Sequence, residues 1–328
     1  MASIRDVAKL AGVSPATVSR VMNGTVNVDD DKKEKVLRAI RETGFRPNEL
    51  ARALYKKSSR IIGVIVPNIE NPFFNELAKA VEEEAYRNQY KILLCNSNDN
   101  TEKEFMNIQM MAQMKADGII IITNSDKTGR MIADCQLPVV MLDRRLTDSG
   151  QTAYVESDHY KGGGMAVSHL IECGCRNIVF LRGPLSLSSG LWRYRGYHEV
   201  CDRFAIKEQC IDCRYDYEDG LRAARELVTR YPDADGIVAS NDMVAIATYK
   251  VLSERGYRVP EDVQIIGFDN IRFSWLFTPE LTTVIQPIAD MGTLAVEIIM
   301  RHHKGLPFQQ ENILDVSLVE RQTTKRKG

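Results

Sequence analysis

Seven short, unbroken apolar runs divide most of this 328-residue chain: "IIGVIVP", "YKILLCNS", "ADGIIIIT", "LPVVMLD", "NIVFLRG", "ADGIVASN" and "VQIIGFDN". Stretches of helical periodicity separate them. A strand that is apolar on both faces needs cover on both faces, and alternation with amphipathic helices supplies it through parallel sheets. From Arg60 onward the chain is therefore expected to be α/β, with doubly wound parallel sheets.

The runs also repeat. "RIIGVIVP" at 60 resembles "RNIVFLRG" at 176, "ADGIIIIT" at 116 resembles "ADGIVASN" at 234, and "PVVMLD" at 138 resembles "DVQIIGFD" at 262, at offsets of 116, 118 and 124. Near-constant offsets predict two lobes of one design. Ligands of open α/β sheets bind outside the carboxyl ends of the strands, so the residues after each strand should line a cleft between the lobes.

Those residues are Asn71, Phe73 and Phe74 after the first strand and Asp143-Arg144 after the fourth. In the second lobe they are Arg193, Asn241, Asp269 and Gln286. Carboxylates accept hydrogen bonds from vicinal hydroxyls, guanidiniums donate to neighbouring oxygens, and aromatic faces pack on a sugar ring. The set suits a small neutral polyol.

The first 60 residues read differently. Ser3 and Asp6 make a capping box for a short helix with an apolar stripe of Ile4, Val7, Ala8 and Ala11, and Gly12 ends it. Ser14 then caps a second helix that begins at Pro15, a position where the missing N–H costs nothing. Val18, Val21 and Met22 should face inward, leaving Ala16, Thr17, Ser19, Arg20 and Asn23 outside. Such a small, polar, basic face fits a DNA major groove. Val36, Leu37 and Ile40, with Gly44 as a stop, mark a third helix that closes a small core. Asn48 can cap a short helix over residues 49–55 in a basic linker.

Charge follows the same division. Residues 1–60 carry 13 Lys and Arg against 7 Asp and Glu, a balance of +6, while the other 268 carry 30 against 37, or −7. Basic charge gathered at one end is the footprint of phosphate binding. Neither a leader nor an apolar run near twenty residues is present, so a cytoplasmic location is expected, with no membrane contact. The seven cysteines include Cys173/Cys175 and Cys210/Cys213, whose spacing without matching histidines favours free thiols over zinc. No metal or other cofactor is expected. Gly162 to Gly164 fit neither dinucleotide nor P-loop patterns. No Ser-His-acid set or zinc helix points to an enzyme.

"SIRDVAKLAGVSPATVSRVMNG", "RPNELARALYKKSSRIIGVIVPNIENPFF", "ASNDMVAIA", "VPEDVQIIGFDN" and "LTTVIQP" together resemble the lactose/galactose repressor family of bacterial transcription regulators over nearly the whole chain. The resemblance implies an all-α helix-turn-helix headpiece at 1–46, a hinge helix and linker at 47–59, and a body at 60–328 like the periplasmic sugar-binding proteins. Lobe 1 is expected to comprise 60–158 and 290–320, and lobe 2 159–289 and 321–328. It implies a DNA-binding set of Ser14, Pro15, Ala16, Thr17, Ser19, Arg20 and Asn23, joined from the hinge by Asn48, Arg52, Leu54 and Tyr55. Within it, Ala16 and Arg20 meet bases, Thr17 a phosphate, and Leu54 wedges into the minor groove, at an unstacking cost that only a bent operator repays.

Among family members, the cleft residues look most like the ribose-binding set of ribose operon repressors, with Asp143-Arg144 as the discriminating pair. A further aromatic wall has no clear match, Tyr215 and Tyr217 being its candidates. Cys175 stands where many members carry histidine. The expected protein is a homodimeric repressor of a sugar operon that binds double-stranded operator DNA and is relieved by a small sugar, D-ribose. The absence of a heptad tail after Arg321 favours a dimer over a tetramer. The rival within the family is a regulator that needs a corepressor, a phosphocarrier protein or a purine.

Overall fold

Local signals in the first residues become three helices. The computed structural model describes residues 2–22, 28–45, 58–146 and 150–325, and the chain divides into two units, 1–59 and 60–328. In the first unit α1 (Ile4–Ala11) begins with the full Ser3/Asp6 capping box and ends at Gly12 in the left-handed conformation. The Ser14 hydroxyl accepts from Thr17 N–H at the start of α2 (Pro15–Met22). Asp29 caps α3 (Asp30–Thr43), and Gly44 closes it. Val7, Ala8, Ala11, Val18, Val36 and Ala39 form the core, with Val21, Met22 and Ile40 packed against it. Leu37, expected inside, is 41% exposed, because Val36 and Ala39 take the inward face. Asn23, Asn48, Arg52, Leu54 and Tyr55 lie outside the described residues.

All seven apolar runs form strands in the second unit. In the first lobe β1 (Ile61–Val66), α4 (Pro72–Arg87), β2 (Lys91–Asn96), α5 (Thr101–Gln113), β3 (Gly118–Ile121), α6 (Thr128–Ala133), β4 (Val139–Leu142) and β5 (Ala153–Ser157) follow one another. The second lobe runs through α7 (His159–Glu172), β6 (Ile178–Arg182), α8 (Ser188–Arg203), β7 (Cys210–Asp212) and α9 (Tyr217–Arg230). It continues with β8 (Gly236–Ala239), α10 (Asp242–Glu254), β9 (Gln264–Asp269), α11 (Phe273–Leu276) and β10 (Thr282–Ile285). The chain then returns through α12 (Ile288–His303) and β11 (Glu311–Leu314) before ending in β12 (Ser317–Val319).

Two six-stranded sheets result, ordered β11-β5-β4-β3-β1-β2 and β12-β10-β9-β8-β6-β7. Each of the first five strands of one lobe has its counterpart in the other, so the repeat in the sequence is a repeat in the fold. Every pairing is parallel except β10 with β12. The first lobe packs Phe73, Phe74, Leu77 and Val81 of α4 and Met291, Val296 and Ile299 of α12 over β1, β3 and β4.

The chain crosses between lobes after β5, after β10 and after β11. The last crossing comes earlier than residue 321, because Ser317–Val319 pairs with Thr283–Ile285 in the second sheet. Similarly α12, in the first lobe, starts at Ile288 rather than 290. Among the described residues no helix is long and apolar enough to cross a membrane.

Candidate functional site

Strand ends of the two lobes converge on one cluster. Asn71, Phe73, Phe74, Asp143 and Arg144 from the first lobe meet Ser189, Arg193, Tyr215, Asn241 and Asp269 from the second around a space of about 10 Å³, room for a single water. Above it a cavity of about 200 Å³ opens, sharing Asn71, Phe74, Arg144 and Tyr215 and adding Asn68, Asp99, Asn124 and Arg214. The cluster lies at the carboxyl edges of both sheets, beside the switch point where strand order reverses around β1 and β6.

Asn71 caps α4 through Phe73 N–H and Asn241 caps α10 through Val244 N–H. Capping fixes each amide at the cleft edge. Asp143 and Asp269, at equivalent strand ends, both hold left-handed backbone, with φ of 64° and 113°. Non-glycine residues pay for that conformation, and such strain gathers at functional sites.

The charges are buried together. Arg144 Nε lies 3.3 Å from Asp143 Oδ2, and Arg193 Nη2 lies 3.6 Å from Asp269 Oδ1. Gln286 donates from Nε2 to Asp269 Oδ1 at 2.7 Å, behind the cluster. Arg193 also donates to Ser240 O and, through Nε, to His159 Nδ1 at 3.3 Å. Because a guanidinium only donates, His159 carries its proton on Nε2 and gives it to Asp143 O at 3.0 Å. Burial holds that imidazole well below its ordinary pKa, so it stays neutral. Burial likewise pushes Asp269 up to about 7 and raises Asp143, with Arg193 and Arg144 opposing the shift.

Asp143 Oδ1, Arg144 Nε and Nη1, and Gln286 Oε1 are buried with no hydrogen-bond partner among the described residues. The Arg144 guanidinium lies between two rings, 5.6 Å from the centroid of Phe74 and 5.4 Å from that of Tyr215. Tyr215 thus lines the cleft together with Phe74, whereas Tyr217 packs with Leu221 and Val251. Asp242, next to Asn241, is structural: it accepts from the Thr283 hydroxyl and Ile271 N–H.

Sequence reasoning did not find Ser189 or His159. Ser189 sits one residue inside α8, away from any strand end, and His159, although it comes two residues after β5, acts through Arg193. The triple glycine that could pass for a phosphate loop is helix: a Cβ on Gly163 would lie 2.1 Å from the Arg193 carbonyl, and this close approach of α7 and α8 sets Arg193 in the cleft.

On the headpiece, Ala16 and Arg20 are exposed, while Thr17 and Ser19 are half-buried. The Thr17 hydroxyl is 3.0 Å from that of Ser14.

A helical headpiece followed in the chain by a two-lobed body with a cleft between its lobes defines a DNA-binding regulator with an effector domain. Family comparisons agree on both halves: residues 3–48 match the bacterial regulatory proteins of the lacI family, and residues 167–324 match the periplasmic binding protein-like domain. The chain is 38% identical over 328 residues to the ribose operon repressor of Bacillus subtilis, covering 99% of both proteins. Its fold is similar to the lac repressor dimer bound to operator and the anti-inducer ONPF, with a TM-score of 0.88, 26% identity and 98% of each chain covered. A lacI-family regulator from Enterococcus faecium with bound ribose matches with a TM-score of 0.73 and 27% identity, over 82% of this chain and 100% of the other. The protein belongs to the lacI family of bacterial transcription regulators.

Proposed function

We propose that this regulator represses a ribose operon as a homodimer and releases its operator when D-ribose enters the cleft. The observation that carries the sugar is the group of buried polar atoms on Asp143, Arg144 and Gln286 that make no hydrogen bond among the described residues, Arg144 Nε having only its ion pair with Asp143. Buried polar groups cost free energy unless paired, about 1 to 3 kcal/mol each. A pentose meets that need, since its hydroxyls donate to Asp143 and accept from Arg144. Its ring takes the place of the Arg144 guanidinium between Phe74 and Tyr215, with Asn71, Phe73, Arg193, Asn241 and Asp269 completing the shell. The ribose-bound relative and the ribose operon repressor support the same choice.

Entry requires the lobes to part, because the inner cluster leaves room for no more than a water. Hydrogen bonds that bridge the lobes here include Asn71 Nδ2 to Tyr215 O, Arg145 N–H to the Ser188 hydroxyl, Arg272 N–H to Glu76, and His159 Nε2 to Asp143 O. A sugar that prefers one lobe arrangement shifts the population toward it, and by linkage operator DNA must change ribose affinity by the same factor. At the other end Arg20 and Ala16 read bases, Thr17 holds a phosphate and Leu54 wedges the minor groove.

Calorimetric titration with D-ribose tests this reading. We expect saturable binding that Asp143→Ala abolishes, and operator affinity that falls when ribose is added. Absence of binding to the unaltered protein removes ribose as the effector, and operator affinity indifferent to bound ribose removes the mechanism.

A further inference from the structure

A second cavity, of about 210 Å³, lies outside the sugar cleft at the crossings between the lobes. Its walls come from both lobes: Arg145, Glu156 and Ile313 from the first, Tyr160 and Trp192 from the second, with His159 between them. Any rotation about the crossings must therefore change its shape.

Glu156 is the feature that ordinary packing does not explain. Its side chain is 3% exposed and Oε1 lies 3.4 Å from Arg145 Nε, yet Oε2 has no hydrogen-bond partner among the described residues. Arg145 is already committed elsewhere, donating to the Tyr154 hydroxyl at 2.8 Å with its guanidinium over the Tyr154 and Trp192 rings. Of the charges that act most on Glu156, one guanidinium favours the ionised carboxylate, while Asp143, Asp158 and Glu311 oppose it. The local field therefore favours an added positive charge. Ser157 and Asp158 also line the cavity, and its apolar side is formed by Tyr160, which meets Trp192 edge-on at 6.3 Å, and by Ile313, 54% exposed at the rim. A carboxylate oxygen beside aromatic faces is what an ammonium group with a flat apolar body requires.

We propose that this cavity binds a small organic cation, a primary amine on an apolar body, with its ammonium on Glu156 Oε2 and its body against Tyr160 and Trp192. The site is coupled to the sugar cleft. His159 forms part of its wall and holds both Arg193 and the Asp143 carbonyl through its two ring nitrogens. An amine that fits one lobe arrangement better changes effector affinity by the ratio of its affinities for the two arrangements.

The test is calorimetric titration of the full chain with benzylamine, and with benzyl alcohol as its uncharged analogue. Saturable benzylamine binding is expected, weakened at least tenfold by Glu156→Gln, with no binding of benzyl alcohol. Ile313→Lys gives the same loss by placing a positive charge at an exposed rim position, where folding is undisturbed. The site is overturned if benzylamine does not saturate up to about 10 mM. Benzyl alcohol binding equally, or both variants binding as the parent does, overturns it too. For the coupling, ribose is titrated with and without saturating benzylamine, and a shift of at least threefold in its affinity is expected. Unchanged ribose affinity overturns the coupling. Should ribose itself not bind, operator affinity replaces it in that arm, so failure of the sugar assignment leaves the amine site separately testable.

Discussion

Asn71 and Asn241 donate from their side-chain amides to one acceptor, the carbonyl of Tyr215, at 3.3 and 3.1 Å. Both also cap a helix with the side-chain oxygen, yet Asn71 reaches across from the first lobe while Asn241 stays within the second. Asn71→Ala is therefore expected to cost about 1 kcal/mol of stability through the lost cap, and also to weaken ribose binding, since it removes a contact between lobes. Urea denaturation and ribose titration of the same variant measure the two effects. Full ribose affinity with lowered stability would show that the cross-lobe bond has no part in closure.

Ribose binding should strengthen as pH rises. Burial pushes Asp269 up to about 7, so below that pH it holds a proton in the free protein. Hydroxyl donors favour the ionised carboxylate, which lowers its pKa in the complex and makes binding release a proton. Affinity is expected to increase from pH 6 toward pH 8. Calorimetry in two buffers of different ionisation enthalpy reads the proton directly, and uptake instead of release would refute the assignment.

Gly163→Ala should disturb the body and spare the headpiece. The added methyl would sit 2.1 Å from the Arg193 carbonyl, which forces α7 and α8 apart. Overpacking of this kind costs roughly 1 to 3 kcal/mol. The thermal transition of the body should fall and ribose affinity with it. Unchanged ribose affinity would mean that Arg193 is not set by this helix contact.

Arg20→Ala is expected to cost about 1 to 3 kcal/mol of operator affinity and to relax sequence preference at one position. Thr17→Ala should weaken binding evenly across sequences, as loss of a phosphate contact does. Both leave ribose binding intact. Competition binding against operator variants separates the two roles, and an even loss for Arg20→Ala would count against base reading.

Much of the fold was legible because its central strands are buried on both faces and so apolar without interruption. β5 and β11 escaped the same reading. "AYVES" carries Glu156 and "ENIL" begins with Glu311, because these strands sit where the sheet edge meets the lobe crossings. The cleft residues were legible where they end a strand, as Asp269 does, or follow one directly, as Asp143 does. Tyr215 was undecided from Tyr217, since both flank the start of α9 and only packing separates the cleft side from the α10 side. The partnership of His159 with Arg193 joins residues 34 apart on two helices, which no periodicity reports.

The order in which the chain completes its parts has a consequence during synthesis. The headpiece core draws on residues between Ile4 and Phe45, whereas β11 pairs with β5 from 157 residues earlier (Glu311 with Tyr154) and β12 seals the other sheet only at Val319. On the ribosome a folded DNA-binding unit thus precedes a complete effector receptor by most of the translation time. A chain halted before residue 311 would carry the whole headpiece sequence with neither sheet finished.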